Sequence, residues 1–419
     1  MLIDFKVKNF KSINSEITLS LVAGSDGAHL NNLIPNDGFN LLKTASIYGA
    51  NGSGKTSLIM ALCFMQSMVI NSFNHQIGDL INVIPHKLSL EKPTSFDIQY
   101  IYNNTRYAYG FVLTKERIIE EYLYYFPLGG RQNKIFERNG DIVSLGKSFS
   151  APLKTSESIL QKNKLFLSCA ANLGSSKYQQ TQLVVDAYLF FKNGLVVHNP
   201  LAASPWRNYS ISTLQNDGAI KEVFKKIMQG LGSDMLDLTA KIERRKFSAE
   251  NLPKNTPTPL ANFIVAIGEA EVPNAIIEYE KFNISLDEES NGIKKLFDII
   301  CPMIDILRSG KVLVYDEFET SLHESIAKEL IKVFLANSFK SQLIFTTHDT
   351  NLLDLELLRR DQIWFTELFG EDRSTQLYAL SDINNVRKDE NISKGYINGR
   401  YGAIPMLNES LISFLREEK

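Results

Sequence analysis

Apolar and polar residues change their rhythm along this chain, and each change predicts a different kind of structure. Over the first 21 residues they alternate, as Leu2-Ile3-Asp4-Phe5-Lys6-Val7-Lys8-Asn9-Phe10 and then Ile17-Thr18-Leu19-Ser20-Leu21, which predicts two short half-buried strands. Strand-like runs recur from about 95 to 127, at Phe96 to Tyr102, Arg106 to Leu113 and Ile118 to Phe126. Asn103-Asn104 separates the first two as a tight turn. Between about 155 and 275 helical spacing takes over, as at Ile220, Val223, Phe224, Ile227 and Met228. Breaks fall at Pro200, Pro205 and the cluster from Pro253 to Pro259. Residues 286–382 alternate strand and helix: Lys311 to Tyr315, a helix from about Glu324 to Phe339, Gln342 to Thr347, Ile363 to Phe365, and Gln376 to Leu380. The near-continuous apolar strands imply a sheet covered on both faces. Together these predict an α/β fold with an antiparallel β lobe and a mostly helical insertion. Residues 1–150 and 281–419 would form two halves of one sheet, and 151–280 the insertion.

The candidate chemistry begins at Gly49-Ala50-Asn51-Gly52-Ser53-Gly54-Lys55-Thr56, which fits the phosphate-loop pattern G-x-x-x-x-G-K-[ST] at every fixed position. The apolar run Ala45 to Tyr48 reads as the strand entering it, and Ser57 to Phe64 as the helix leaving it. Glycines let successive backbone N–H groups curl around phosphate oxygens, and the helix N-terminus adds unsatisfied donors and a positive dipole end. Gly49, Asn51, Gly52, Ser53, Gly54, Lys55, Thr56 and Ser57 are therefore the expected nucleotide-binding residues. Lys55 would reach the β/γ-phosphates and Thr56 would offer its hydroxyl to Mg²⁺, so ATP and Mg²⁺ are the expected cofactors.

An apolar strand ending in Asp316-Glu317 answers the loop. Asp316 is placed to hold the Mg²⁺ ion with Thr56, and Glu317 to polarise the attacking water. Asp316 lies 261 residues past Lys55 (316 − 55), so a large insertion separates the two motifs. The strand Gln342 to Thr347 ends in His348-Asp349, which puts His348 at the same sheet edge as a candidate γ-phosphate contact. Gln66 and Gln99 are the two candidates for the water-coordinating glutamine that the family resemblance given below implies.

Composition narrows the class. The chain has 419 residues, 44% hydrophobic, 22% charged and 10% aromatic, too long for one small core and ordinary for a soluble protein. No apolar run of about 18 residues and no signal-peptide layout stand out, so no membrane association is expected. Cys63, Cys169 and Cys301 are widely spaced, without metal-ligand spacing, and read as reduced thiols in the cytoplasm. A net charge of −2 excludes coating nucleic acid by bulk charge. The basic run Lys241-Ile242-Glu243-Arg244-Arg245-Lys246 reads either as a solvated face or as a nucleic-acid or partner contact, so contact with DNA stays open.

These residues resemble the ABC-type ATPases of the SMC, RecF and OLD group. The likeness lies in the opening from Leu2 to Asn9-Phe10-Lys11-Ser12, the Asn51-containing loop, Asp316-Glu317-Phe318-Glu319-Thr320-Ser321-Leu322-His323, and Thr347-His348. The resemblance implies an ABC-type P-loop head that works as a homodimer or higher homo-oligomer. Each nucleotide would lie between one copy's phosphate loop and the other's signature motif. The candidate signature is Glu289-Ser290-Asn291-Gly292, with Ser290 and Gly292 facing the partner's γ-phosphate; the same residues also read as a plain helix start. Three phrases narrow the likeness: Glu289 to Gly292, Leu358 to Phe365, and Lys394 to Pro405. They look like the RloA/AbiLii class of abortive-infection ATP-binding proteins, related to the ATPase subunit of the PARIS defence system. That class implies phage defence and a separate effector with a TOPRIM-like or other nuclease fold. A RecF- or SMC-like DNA-repair clamp is the alternative. The chain carries no Asp-x-Asp pair and no Arg-x-x-x-x-His motif, and only 71 residues (419 − 348) follow His348. Any nuclease would come from a partner.

Overall fold

The computed structural model describes residues 1–127, 129–173, 179–198, 205–246, 258, 269–387 and 390–405. The expected proline cluster from Pro253 to Pro259 lies almost entirely outside them. Two compact units divide the chain. The first comprises residues 1–200, 309–319 and 330–419, the second residues 201–308 and 320–329.

The first unit opens with β1 (Leu2–Lys8) and β2 (Ile17–Ser20), antiparallel partners whose inward residues Leu2, Phe5, Val7, Ile17 and Leu19 are buried. A hairpin of β3 (Leu33–Asn36) and β4 (Phe39–Leu42) leads to β5 (Thr44–Tyr48), buried at all five residues, and then to α1 (Lys55–Asn71). Next comes a meander of β6 (Thr94–Tyr102), β7 (Thr105–Leu113), β8 (Ile118–Phe126), β9 (Asn133–Asn139) and β10 (Ile142–Leu145). Its first turn is Asn103-Asn104, both at positive φ (47° and 60°), the backbone that two-residue hairpins need and asparagine tolerates. Seven strands form one antiparallel sheet in the order β10-β9-β8-β7-β6-β1-β2. This is the expected antiparallel lobe.

Three helices follow, α2 (Ser150–Glu157), α3 (Phe166–Leu173) and α4 (Gln179–Leu189), then the short strand β11 (Leu195–Val197). These segments belong to the first unit, although the sequence pattern assigns them to the insertion. The reason is packing: Leu153, Phe166, Leu167, Ala170, Val184 and Ala187 join the same buried core as α1 and both large sheets.

The second unit holds α5 (Pro205–Asn216), α6 (Gly218–Gly230), β12 (Asp237–Lys246), β13 (Glu269–Glu278), β14 (Asn283–Ser285) and α7 (Asn291–Ser309). Helix α6 buries Ile220, Phe224 and Met228, as its spacing predicts. The unit carries strands beside its helices. Strands β12 and β13 pair antiparallel over ten residues each, and the basic run Lys241–Lys246 lies in β12. In the register Arg244 stands opposite Glu271 and Lys246 opposite Glu269.

The chain then completes the first unit's second sheet. Strand β15 (Val312–Tyr315), helix α8 (Glu324–Asn337), β16 (Gln342–Thr346), β17 (Ile363–Phe369), β18 (Ser374–Ala379) and the short helix α9 (Ile392–Ile397) follow in order. The sheet runs β11-β15-β16-β5-β17-β18, parallel throughout except for the last pair. Strand β16 stands between β5 and β15, so the segment entering the phosphate loop and the segment ending in Asp316-Glu317 finish at one edge, separated by a single strand.

Helix α1 corrects one expectation. Lys55–Asn74 is long and apolar enough, by length and composition, to cross a membrane. It starts at the phosphate loop and buries Leu58, Ile59, Ala61, Leu62, Met65, Met68 and Val69 in the first unit's core. A helix covered on several sides is apolar all round for that reason.

Candidate functional site: a phosphate loop facing two carboxylates

Strand β5 delivers the chain to the phosphate loop, and the loop backbone has the shape the glycines predict. Gly52 and Gly54 take φ of +79° and +110°. A Cβ on Gly54 would come within 2.0 Å of Thr375 Oγ1, so both backbone and space demand glycine there. Gly54 is the N-cap of α1, and its left-handed backbone turns the chain so that the first N–H groups of α1 point back over the loop.

The loop is braced from β17 and β18. Ser53 Oγ lies 2.7 Å from Thr366 Oγ1, which itself donates to the Tyr48 carbonyl at 3.2 Å. Thr375 Oγ1 lies 3.0 Å from the Ser53 carbonyl and 2.8 Å from Ser12 Oγ, and Ser12 Oγ is 2.8 Å from Ser57 Oγ. Lys55 is buried, and its Nζ donates to the carbonyls of Gly49 (2.7 Å) and Ala50 (3.2 Å). Burial pushes the Lys55 ammonium down to about 8, against the pull of Asp316, Glu317 and Glu319.

The acidic side of the site meets the loop directly. Thr56 Oγ1 donates to Asp316 Oδ2 at 3.0 Å, and Thr346 Oγ1 donates to Asp316 Oδ1 at 2.5 Å. Asp316 is buried, and its neighbour Glu317 adopts a left-handed backbone with φ +52°. At the end of β16 the His348 N–H donates to Glu319 Oε1 at 2.7 Å, tying the histidine segment to the acidic one. Partial burial, and then the Lys55 ammonium, hold the His348 imidazole below its ordinary value.

Asn51 and Gly52 form the exposed tip of the loop. Ser290 and Gly292 belong to the second unit. There Ser290 is exposed, and its Oγ accepts the Ile293 N–H at 3.3 Å as α7 begins at Asn291. Both readings of that segment therefore share one feature, a helix N-terminus. The two glutamine candidates are committed elsewhere. Gln66 donates to the carbonyls of Phe191 and Leu195, and Gln99 accepts from Arg106.

The donor set suits the expected cofactors. A threonine hydroxyl and a carboxylate are hard oxygen ligands, and Mg²⁺ characteristically takes one or two protein oxygens beside phosphates and water. Among the described residues no cluster of three His, Cys, Asp or Glu side chains offers a different metal site. Residues that pattern reading passed over are Thr346, Thr366, Thr375 and Glu319. Thr346 ends β16, Thr366 and Thr375 lie within β17 and β18, and Glu319 follows β15; the signal of the three threonines was a hydroxyl in an apolar strand, where a buried polar group must find a partner.

The family described as "AAA domain, putative AbiEii toxin, Type IV TA system" matches residues 45–167 and 204–354. No curated protein matches the sequence. Among solved structures, the Smc head bound to the C-terminal winged-helix domain of ScpA aligns at 13% identity and TM-score 0.43, over 90% of this chain and 97% of that one. The SMC head domain from Thermotoga maritima aligns at 12% identity and TM-score 0.41, over 90% and 98%. The Smc head with an extended coiled coil bound to the ScpA C-terminal domain, from Pyrococcus furiosus, aligns at 14% identity and TM-score 0.42, over 90% and 96%.

Proposed function

The chain belongs to this family of AAA domains, and from that premise we propose that it is the ATP-binding and ATP-hydrolysing subunit of a bacterial anti-phage (abortive infection) system, working in the cytoplasm. Pairing of two ATP-loaded heads controls a separate toxic effector, a TOPRIM-like or other nuclease. The observation that carries the ATPase reading is the 3.0 Å bond between Thr56 and Asp316, with Glu317 next in the chain. It brings a phosphate-loop hydroxyl and a strand-end carboxylate together as a two-oxygen Mg²⁺ site.

Each residue has a role in this reading. Backbone N–H groups from Gly49 to Ser57 cradle the phosphates, and Lys55 neutralises charge on the β/γ-phosphates. Thr56 and Asp316 hold Mg²⁺, which supplies electrostatic stabilisation of the transferring phosphoryl group when bound. Glu317 orients water and takes its proton, and His348 hydrogen-bonds the γ-phosphate. Ser290 and Gly292 of a second copy close the site with the N-terminus of α7. The defence role draws on the family's toxin–antitoxin description and on the RloA/AbiLii-like phrases.

The test is a phage challenge of cells carrying this gene with its neighbouring reading frame, beside the K55A variant. Protection that disappears with K55A supports the proposal. Protection that survives loss of ATP binding would overturn it, and a locus that alters DNA-damage survival and leaves phage growth untouched would favour the repair-clamp alternative.

A further inference from the structure

Strand β16 separates the strand of the phosphate loop from the strand of Asp316, and its last residue reaches the acidic pair. Thr346 is fully buried. Its Oγ1 donates to Asp316 Oδ1 at 2.5 Å and accepts the Glu317 backbone N–H at 2.8 Å. A hydroxyl carries one proton, and an N–H can only donate, so the direction of both bonds is settled: the Thr346 proton goes to the carboxylate. The Thr346 carbonyl also accepts the Phe318 N–H at 3.1 Å. One residue thus holds the Asp316 carboxylate and the two N–H groups that follow it.

We propose that Thr346 is a positioning residue for the hydrolytic site, setting the rotation of the Asp316 carboxylate and holding the backbone turn that aims Glu317. The inference rests on the ATPase reading above. Asp316 is gripped at both oxygens, by Thr346 inside and by Thr56 on the loop side. When Thr56 turns its hydroxyl to a metal ion, the Thr346 bond still fixes which oxygen faces the loop. Glu317 has φ +52°, a conformation that non-glycine residues keep only when their surroundings hold it. The Thr346 hydroxyl bonds the N–H at that strained residue. A valine would fill the same space in β16 and remove only these two bonds.

The test compares the full-length protein with T346V and T346S, by nucleotide-induced thermal shift across graded Mg²⁺ and by ATP turnover. Without Mg²⁺, ATP should raise Tm equally in all three, because the phosphate loop is untouched. In T346V the Mg²⁺ concentration for half the additional shift should rise about tenfold, and kcat should fall about tenfold or more with KM changed much less. T346S, which keeps the hydroxyl, should stay close to wild type on every measure. Unaltered Mg²⁺ dependence and turnover in T346V would overturn the proposal, as would a T346S as impaired as T346V. If T346V gives no cooperative melt, T346A removes the same hydroxyl without added bulk and is judged by the same criteria. Absence of any ATP-induced shift in the wild type sinks the ATPase reading and this proposal together. A normal ATP shift with normal Mg²⁺ dependence and normal turnover in T346V sinks this proposal alone.

Discussion

Thr56 and Asp316, 260 residues apart in sequence, share a hydrogen bond of 3.0 Å. That bond converts two separate motifs into one site. Around it stand Glu317 and Lys55, whose removal has distinct, measurable consequences.

Replacing Glu317 by Gln keeps the shape and removes the base. ATP turnover should fall about 100-fold or more, the scale of a lost general base. ATP binding should persist, and light scattering should then find an ATP-dependent dimer. Wild-type turnover in this variant would remove Glu317 from the reaction.

Lys55→Ala removes the buried ammonium from the loop. Because its Nζ bonds only loop carbonyls at Gly49 and Ala50 in the structure, folding should survive. Nucleotide titration by calorimetry should show binding abolished. Retained wild-type affinity would contradict the site assignment.

The same lysine predicts a pH dependence. Its folded value of about 8 lies below the ordinary 10.5, because burial disfavours the charged form. Between those values the unfolded chain binds more protons, so this group's contribution to stability rises with pH across that window and is unfavourable below it. Binding of an anionic phosphate runs the other way, since it needs the ammonium. ATP affinity should therefore fall as pH passes above about 8, by up to about tenfold per pH unit. Lys55→Arg, whose guanidinium stays charged, should flatten whatever binding it retains. A wild-type affinity constant up to about pH 9.5 would show that the lysine stays charged in the apo protein.

A fourth prediction concerns the antiparallel lobe. Glu121 and Arg138 face each other at 3.6 Å with both side chains fully buried. Glu121 also accepts from Tyr109 Oη (3.0 Å) and from the Phe166 and Leu167 N–H groups at the start of α3 (2.6 and 2.9 Å). Glu121→Ala leaves those donors unmatched and the guanidinium, which still donates to the Gly140, Gln161 and Lys164 carbonyls, without its counter-charge, and should cost about 3–5 kcal/mol of stability in urea denaturation. The double variant E121A/R138M should recover part of that loss. No recovery would mean that the orphaned N–H groups, and not the unpaired guanidinium, carry the cost.

Much of the site could be read from the chain because its signals are local. The phosphate loop is eight consecutive residues whose glycines and lysine have a stereochemical meaning at fixed spacing. Asp316-Glu317 and His348 were legible as polar residues ending apolar strands. Helix α6 and the Asn103-Asn104 turn follow from spacing and backbone preference within a dozen residues. Where the reading failed, the deciding partner was remote. The run Lys241–Lys246 becomes a strand because its backbone pairs with β13, a partner remote in the sequence. Helices α2–α4 join the first unit because their apolar faces complete a core built mainly from residues outside 151–280.

The sequence alone determined that a phosphate-binding loop lies between a buried strand and a long apolar helix. It also determined that acidic and histidine residues end later strands of an α/β sheet. Only the tertiary structure decided that β16 lies between β5 and β15, and with it that Thr346 grips Asp316 and Glu317 while Thr366 and Thr375 brace the loop. Periodicity and turn chemistry report on neighbours along the chain. Strand order, and the partner that each buried polar group finds, follow from how the whole unit closes around its core.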